Sequence, residues 1–321
     1  MGDPAGIGPG IILNALRDIR TGDGVLYVVI GDRDVFNGLA GPGVLREVSP
    51  EDAAAFRFPG SGISLVDPGG ALEGNVFGKP TEKGAAKSLS CIDTAVDLVK
   101  RTPEGIKSAI VTAPVSKEAV AAVCPGFVGH TEHLQKAFGA EKVTMVMVGE
   151  KLKVVPVTRH IPLKDVPGSL TPELIVDTIR QVVADRYIVS GAEDPSIAVC
   201  ALNPHCGEGG RIGREELDII GPAVAAAARD YPRIKGPVSA DVVFYKALKG
   251  EVDIVLSMYH DQCLSPFKMV DFDRGVNMTL GLGHVRTSPD HGTAFDIAGK
   301  GIADHGSMLA AIKLALRAVE N

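Results

Sequence analysis

The chain has 321 residues, 45% hydrophobic and 22% charged, enough apolar matter for one large α/β unit or two lobes. A net charge of −6 excludes a general nucleic-acid or membrane-surface binder, which needs a basic face, while leaving room for a local basic pocket. No apolar run approaches the roughly 20 residues of a membrane span, the opening MGDPAGIGPG has neither region of a signal peptide, and five cysteines without a CxxC point to a reducing cytoplasm.

In chain order, the glycine-rich opening GDPAGIGPG leads into a helical pattern, IILNALRDI. Apolar, β-branched runs then predict strands at 25–31, 62–67, 107–113, 143–149, 153–158, 196–202 and 253–258. Helical patterns lie between them at 81–101, 115–123, 131–138, 171–186, 215–230, 239–249 and 307–319. The helix near 171 starts with Thr171 as N-cap and Pro172 at the first helical position, and Leu174, Ile175, Ile179, Val182 and Val183 form its apolar stripe. This alternation predicts an α/β fold with a largely parallel sheet. Glycine and proline gather where strands end, as in NPHCGEGGRIG and GKPTEKG, which reads as shaped loops rather than linkers. With no linker or internal repeat to mark a boundary, a lobe can be discontinuous in sequence.

Three of the predicted strands run directly into a histidine: KVVPVTRH into His160, IAVCALNPH into His205, DIVLSMYH into His260. Chemistry in open α/β sheets collects at the carboxyl ends of strands. Three imidazoles there suit Zn²⁺, Co²⁺ or Mn²⁺, and less naturally Mg²⁺, with positions left for substrate. The alternative for any one of them is a hydrogen-bonded structural histidine. Asp261, beside His260, is a base, an orienting partner or a turn residue. The stretch GHTEHL (129–134) either binds an anion through His130 and Thr131 or merely opens a helix. Lys268, Asn277 and Arg286 carry the groups of a phosphate or carboxylate pocket, and the apolar VNMTLGLG between them reads as a buried strand. Asp290, His291 and Thr293 lie on a glycine-containing loop before a helix, where a dinucleotide can be met. Cys206 and Cys263, close to the histidines, read as packing residues. The opening loop lacks the Lys-Ser/Thr of a P-loop and is not a G-x-G-x-x-G.

The blocks MGDPAGIGP, VTAPVSKEA, GHTEHL, LNPHCGEGGRIGREE, MYHDQ and VNMTLGLGHVRTSPDHGTAFDIAG, in this order from residue 1 to about 306, resemble the 4-hydroxythreonine-4-phosphate dehydrogenase (PdxA) family. The resemblance implies an isocitrate/isopropylmalate-dehydrogenase-like fold of two α/β/α lobes with a central cleft. The expected lobes are 1–115 with 270–321, and 116–269, the latter with the metal ligands and dimer contacts. It implies a cytoplasmic homodimer with a shared active site. The implied reaction is an NAD- and divalent-metal-dependent oxidation, with decarboxylation, of 4-phosphooxy-L-threonine to 3-amino-2-oxopropyl phosphate in pyridoxal phosphate biosynthesis. His160, His205 and His260 match the family's metal ligands, and His130, Thr131, Lys268, Asn277 and Arg286 its substrate-binding positions. The base stays open between Asp261 and a water at the metal, and no ribose-recognition motif separates NAD from NADP.

The family's first strand precedes the opening loop, whereas here the chain starts at that loop. Gly10 replaces a usually acidic residue, His133 a usually bulky apolar one, and Cys206 and Cys263 stand where Ala or Gly is common. Competing substrates with the same chemistry are D-threonate or D-erythronate 4-phosphate and a cyclic dihydrodiol carboxylate. A metal-dependent hydrolase or a phosphate acyltransferase is the alternative of a different class, and NAD binding discriminates against it.

Overall fold

The computed structural model describes residues 1–19, 24–41, 43–60, 62–72, 74 and 76–320. The chain opens with α1 (Gly8–Asp18), β1 (Leu26–Ile30), α2 (Arg33–Ala40), β2 (Arg46–Val48), α3 (Pro50–Ala54) and β3 (Gly62–Val66). Then come α4 (Glu82–Lys100), β4 (Ala109–Val111), α5 (Lys117–Val123) and α6 (His130–Phe138). A middle stretch holds β5 (Thr144–Val148), β6 (Lys153–Pro156), α7 (Val166–Ser169), α8 (Pro172–Ala184), α9 (Arg186–Ser190), β7 (Ile197–Cys200) and α10 (Gly221–Asp230). It continues through β8 (Ile234–Val238), α11 (Ala240–Leu248), β9 (Ile254–Ser257), α12 (His260–Asp271) and β10 (Val276–Leu280), and β11 (Val285–Pro289) and α13 (Gly306–Glu320) close the chain. No helix among the described residues is long and apolar enough to cross a membrane.

These elements form two units, one of residues 1–141 with 282–321, the other of residues 142–281. The crossings fall at 141/142 and 281/282 rather than near 115 and 270 for two reasons. Helices α5 and α6 pack on α4 of the first unit, and β10 pairs along its whole length with β5 of the second.

In the first unit β1 and β2 flank β3, both parallel to it, and β4 runs parallel to β11. The cap residues explain where the helices start. Asp32, Ser49, Thr81 and Ser116 each accept backbone N–H bonds at the first turns of α2, α3, α4 and α5. The core is built from Ile11 and Leu16 of α1, Phe36, Leu65, and Met308 and Ile312 of α13. At the carboxyl ends of β1 and β3 a lysine is buried: Lys87 Nζ of α4 lies 3.2 Å from Asp32 Oδ2, bonds Asp67 Oδ1, and donates to Gly69 O at 2.7 Å. Its charge is tolerable there only because two carboxylates and a carbonyl replace the lost water.

In the second unit the strand order is β10-β5-β6-β9-β7-β8. Strands β6, β9, β7 and β8 are parallel neighbours, while β5 runs antiparallel to both β10 and β6. The sheet is largely parallel, as expected, with β5 as the antiparallel exception, because the connection from β5 to β6 is too short for a crossover and closes as a hairpin. Strands β5, β7 and β9 are buried along their whole length, as their unbroken apolar runs require. Thr171 caps α8 by accepting from Leu174 N, with Pro172 following it.

The hairpin turn is clamped from outside the sheet. The buried Asp271 carboxylate, at the end of α12, accepts N–H bonds from Lys151 at 3.2 Å and Leu152 at 2.9 Å. A Cβ on Gly149 would collide with this carboxylate, so the position is closed to larger residues. Asp271→Ala leaves two amides without their charged acceptor, and we expect a loss of about 2 kcal/mol in urea-unfolding stability. A loss below about 0.5 kcal/mol would show that water replaces the clamp.

Candidate active site

The three histidine-bearing segments leave one edge of the second unit's sheet. His160 follows β6, His260 opens α12 just past β9, and His205 follows β7, and these three strands are adjacent and parallel. Side chains lock the strand ends together. Thr158 Oγ1 donates to Met258 O at 2.8 Å. The buried Gln262 accepts from Met258 N at 2.7 Å and donates to Ala201 O at 2.7 Å, bridging the ends of β9 and β7.

The His160 and His260 rings face each other with centroids 5.3 Å apart. His260 Nδ1 lies 2.6 Å from Asp261 Oδ1, and His205 Nδ1 3.0 Å from Glu208 Oε1. In both rings a carboxylate holds Nδ1, which leaves Nε2 as the other ring nitrogen, the pairing that orients metal-binding imidazoles. The Glu208 carboxylate also raises the pKa of the exposed His205. Among the described residues no set of three His, Cys, Asp or Glu side chains stands close enough to hold a metal. The structure thus brings His160 and His260 together and leaves His205 on a neighbouring loop.

That loop is unusual. Residues 205–209 all have positive φ, including His205 at 49°, Cys206 at 55° and Glu208 at 44°. A left-handed conformation costs a non-glycine residue roughly 1–2 kcal/mol, so something outside the loop must hold it. The thiols nearby are packing groups: burial raises the pKa of both Cys206 and Cys263, and Cys263 Sγ donates to His260 O at 3.5 Å.

Of the other second-unit candidates, Asp261 is exposed, Lys268 sits in the second half of α12 with its ammonium 5.6 Å from the Phe272 ring centroid, and Asn277 lies on β10, paired with Met147.

The remaining candidates belong to the first unit. Arg286 of β11 is buried, and its guanidinium donates to Thr112 Oγ1 at 2.8 Å. Burial lowers its pKa to about 10, so it still carries its charge at neutral pH. His130, the first residue of α6, has a fully enclosed Nε2 with no hydrogen-bond partner among the described residues. Burial first, then the nearby Arg286 charge, depress its pKa well below 6.5, and Lys117 adds to the effect. A neutral imidazole with an unused nitrogen beside a buried guanidinium is a place for an anion. Thr131 follows on the first turn of α6.

Asp290, His291 and Thr293 lie just past β11. Asp290 N donates to Ser307 Oγ at 3.0 Å, and Thr293 O accepts from Ile7 N at 2.9 Å, which ties this loop to the opening one. His291 Nε2 and, on the opening loop, Asp3 Oδ2 are also enclosed without a partner. Burial raises the Asp3 pKa. Asp3 is read from the sequence as an active-edge or a turn residue, whereas Gln262, Thr112 and Lys117 did not stand out as site residues. The signal for these three was their place inside the blocks VTAPVSKEA and MYHDQ, Gln262 standing two residues after His260.

Two α/β units, one with a buried arginine near an enclosed imidazole nitrogen and one with imidazoles along a parallel strand edge, have the make-up of an α/β enzyme. The chain matches the family model described as "Pyridoxal phosphate biosynthetic protein PdxA" over residues 25–315. It is 43% identical to the 4-hydroxythreonine-4-phosphate dehydrogenase of Desulfosudis oleivorans over 98% of this chain and 94% of that one. Among solved structures, the 4-hydroxythreonine-4-phosphate dehydrogenase of Klebsiella pneumoniae matches with a TM-score of 0.82 and 37% identity, covering 100% and 97% of the two chains. A terephthalate 1,2-cis-dihydrodiol dehydrogenase from Burkholderia xenovorans matches at 0.69 and 26% identity, covering 99% and 96%. The chain belongs to the PdxA family and is an oxidoreductase.

The depressed pKa of His130 has a consequence for stability. Below pH 6.5 the unfolded chain takes up a proton that the folded site refuses, so stability falls as pH drops. The slope approaches about 1.4 kcal/mol per pH unit for this one group. His130→Asn is expected to flatten the acid limb of a stability-versus-pH curve measured by urea unfolding, and an unchanged limb would show that His130 protonates freely in the fold.

Proposed function

We propose that this chain oxidises 4-phosphooxy-L-threonine with NAD and a divalent metal, releasing CO₂ and 3-amino-2-oxopropyl phosphate. The observation that carries the reading is the enclosed His130–Arg286 pocket in a chain so similar, end to end, to proteins named for this dehydrogenation. A neutral diol gives a buried guanidinium nothing to neutralise, whereas a phosphate does. The dihydrodiol dehydrogenase likeness, at lower identity, is the second reading.

In this reading Arg286, His130 and Thr131, with Lys268 and Asn277, hold the phosphate and so fix the distance to the carbinol carbon. His160, His205 and His260 are the metal donors. Their fit rests on the two adjacent rings and on the Nδ1–carboxylate pairs, which leave Nε2 for a ligand. Asp290, His291 and Thr293 face the dinucleotide, and the unpartnered Nε2 of His291 fits a polar ligand there. When bound, the divalent ion supplies Lewis acidity to the reacting hydroxyl and NAD supplies the hydride acceptor. Asp261 either receives the hydroxyl proton or orients His260, to which it is already bonded. The isocitrate/isopropylmalate-dehydrogenase-like lobes, a homodimer and a cytoplasmic site of action belong to the same proposal.

NAD reduction is to be measured with 4-phosphooxy-L-threonine, D-threonate 4-phosphate, D-erythronate 4-phosphate and a dihydrodiol carboxylate, each with and without chelator. Chelator-sensitive turnover of the first above the others is expected. Turnover of the dihydrodiol alone would move the assignment to the second reading. Arg286→Lys keeps the charge and loses the planar fork, so KM for the phosphorylated substrate should rise about tenfold or more with a smaller change in kcat.

A further inference from the structure

The left-handed turn that carries His205 packs over a buried carboxylate. We infer that Glu216 is a positioning residue for His205: it fixes the 202–213 loop so that the imidazole is presented at the sheet edge. This rests on the proposed metal-ligand role of His205 and goes beyond it to the device that places the ligand.

Glu216 stands on the π-helical turn Glu216–Ile220 that precedes α10 and is 4% exposed. Its Oε1 accepts from Leu202 N at 2.8 Å and Asn203 N at 2.7 Å, and its Oε2 accepts from Asn203 Nδ2 at 3.0 Å. Asn203 Nδ2 also donates to Glu215 Oε2 at 2.6 Å. The two residues where the chain leaves β7 are therefore tied, by backbone and side chain, to a rigid turn 13 and 14 positions further on.

Packing closes the same point. A Cβ on Gly207 would stand 2.7 Å from Glu216 Oε2, so the turn passes directly over the carboxylate, and only glycine fits at its middle. Three non-glycine residues in left-handed conformation, His205, Cys206 and Glu208, are strained, and strain of this kind persists only where the surroundings over-determine the backbone. The carboxylate is the buried part of those surroundings, beside the Cys206 Sγ–Pro237 O and Ile212 N–Gly207 O contacts, while His205 itself is exposed and bonds Glu208 within the turn. A π-turn is itself an irregularity more often found at functional sites than in plain helices. Here it directs both Glu215 and Glu216 at Asn203.

The test uses the pattern of donors and acceptors. In Glu216→Gln one amide oxygen can still accept from Leu202 and Asn203, but the amide nitrogen then meets Asn203 Nδ2, donor against donor. In the double variant Glu215→Gln with Glu216→Gln, Asn203 can turn its amide so that Oδ1 accepts from both. Metal-stripped wild type, His205→Ala, Glu216→Gln and the double variant are titrated with Zn²⁺ by calorimetry. Amide hydrogen exchange of 202–213 is followed by mass spectrometry in the same metal-free proteins, with β5 and α13 as folding controls.

Glu216→Gln should exchange faster across 202–213 alone and bind Zn²⁺ about tenfold or more weaker. The double variant should recover most of both losses. Wild-type exchange and affinity in Glu216→Gln overturns the inference, as does a loss that the double variant does not rescue. If His205→Ala binds Zn²⁺ as the wild type does, the ligand role of His205 falls, while the exchange data still decide whether Glu216 anchors the loop. Should Glu216→Gln not fold, Asn203→Ala removes the same arm from the other side, and the same two readouts apply.

Discussion

The parallel pairing of β6, β9 and β7 is the constraint on which the rest of the second unit depends. Parallel strands deliver their carboxyl ends to one edge, so segments 45 and 55 residues apart in sequence start side by side. Gln262 then converts a rough alignment into a fixed one, because its amide bonds the backbone ends of β9 and β7 at once. With both amide ends engaged and the side chain buried, a shift of either strand would strand a polar group away from water.

The two units solve the problem of charge differently. In the first, Lys87 is buried among Asp32, Asp67 and carbonyl oxygens, so its charge is fully compensated and its role is to bind strand ends together. Arg286 is buried, donates to the Thr112 hydroxyl, feels the Glu132 charge, and lies near a histidine that burial first, and the Arg286 charge second, keep neutral. In the second unit the carboxylates of Asp261 and Glu208 sit on the exposed imidazoles and set their orientation rather than neutralising a buried charge.

Much of the fold was legible because hydrophobic period and cap chemistry are local. The seven strands read from apolar runs, the buried strand read at VNMTLGLG and the helices with clear stripes appear, including α8 with Thr171 and Pro172 at its start. Of the elements not predicted, α2 and α3 are short but capped by Asp32 and Ser49, while four others break the local rules. Strand β11 buries Arg286, Thr287 and Ser288, so its run is not apolar, and β8 contains Gly236 and Pro237. Helix α12 carries Pro266 in its interior, and β2 has three residues. Each is stabilised by neighbours that a window of sequence does not contain.

The sequence by itself determined the residue types of the candidate site and, through six ordered blocks, the family, because chemistry and close resemblance are properties of residue identity. Only the tertiary structure decided how those residues stand. It put His160 against His260, gave Nδ1 of two histidines a carboxylate partner, enclosed His130 beside Arg286, and bent His205 into a left-handed turn over Glu216. Burial and orientation arise from contacts between segments far apart in the chain, and these set a group's pKa and the direction of its free nitrogen. That is why Glu216, one carboxylate among many in the sequence, stands out only in the fold.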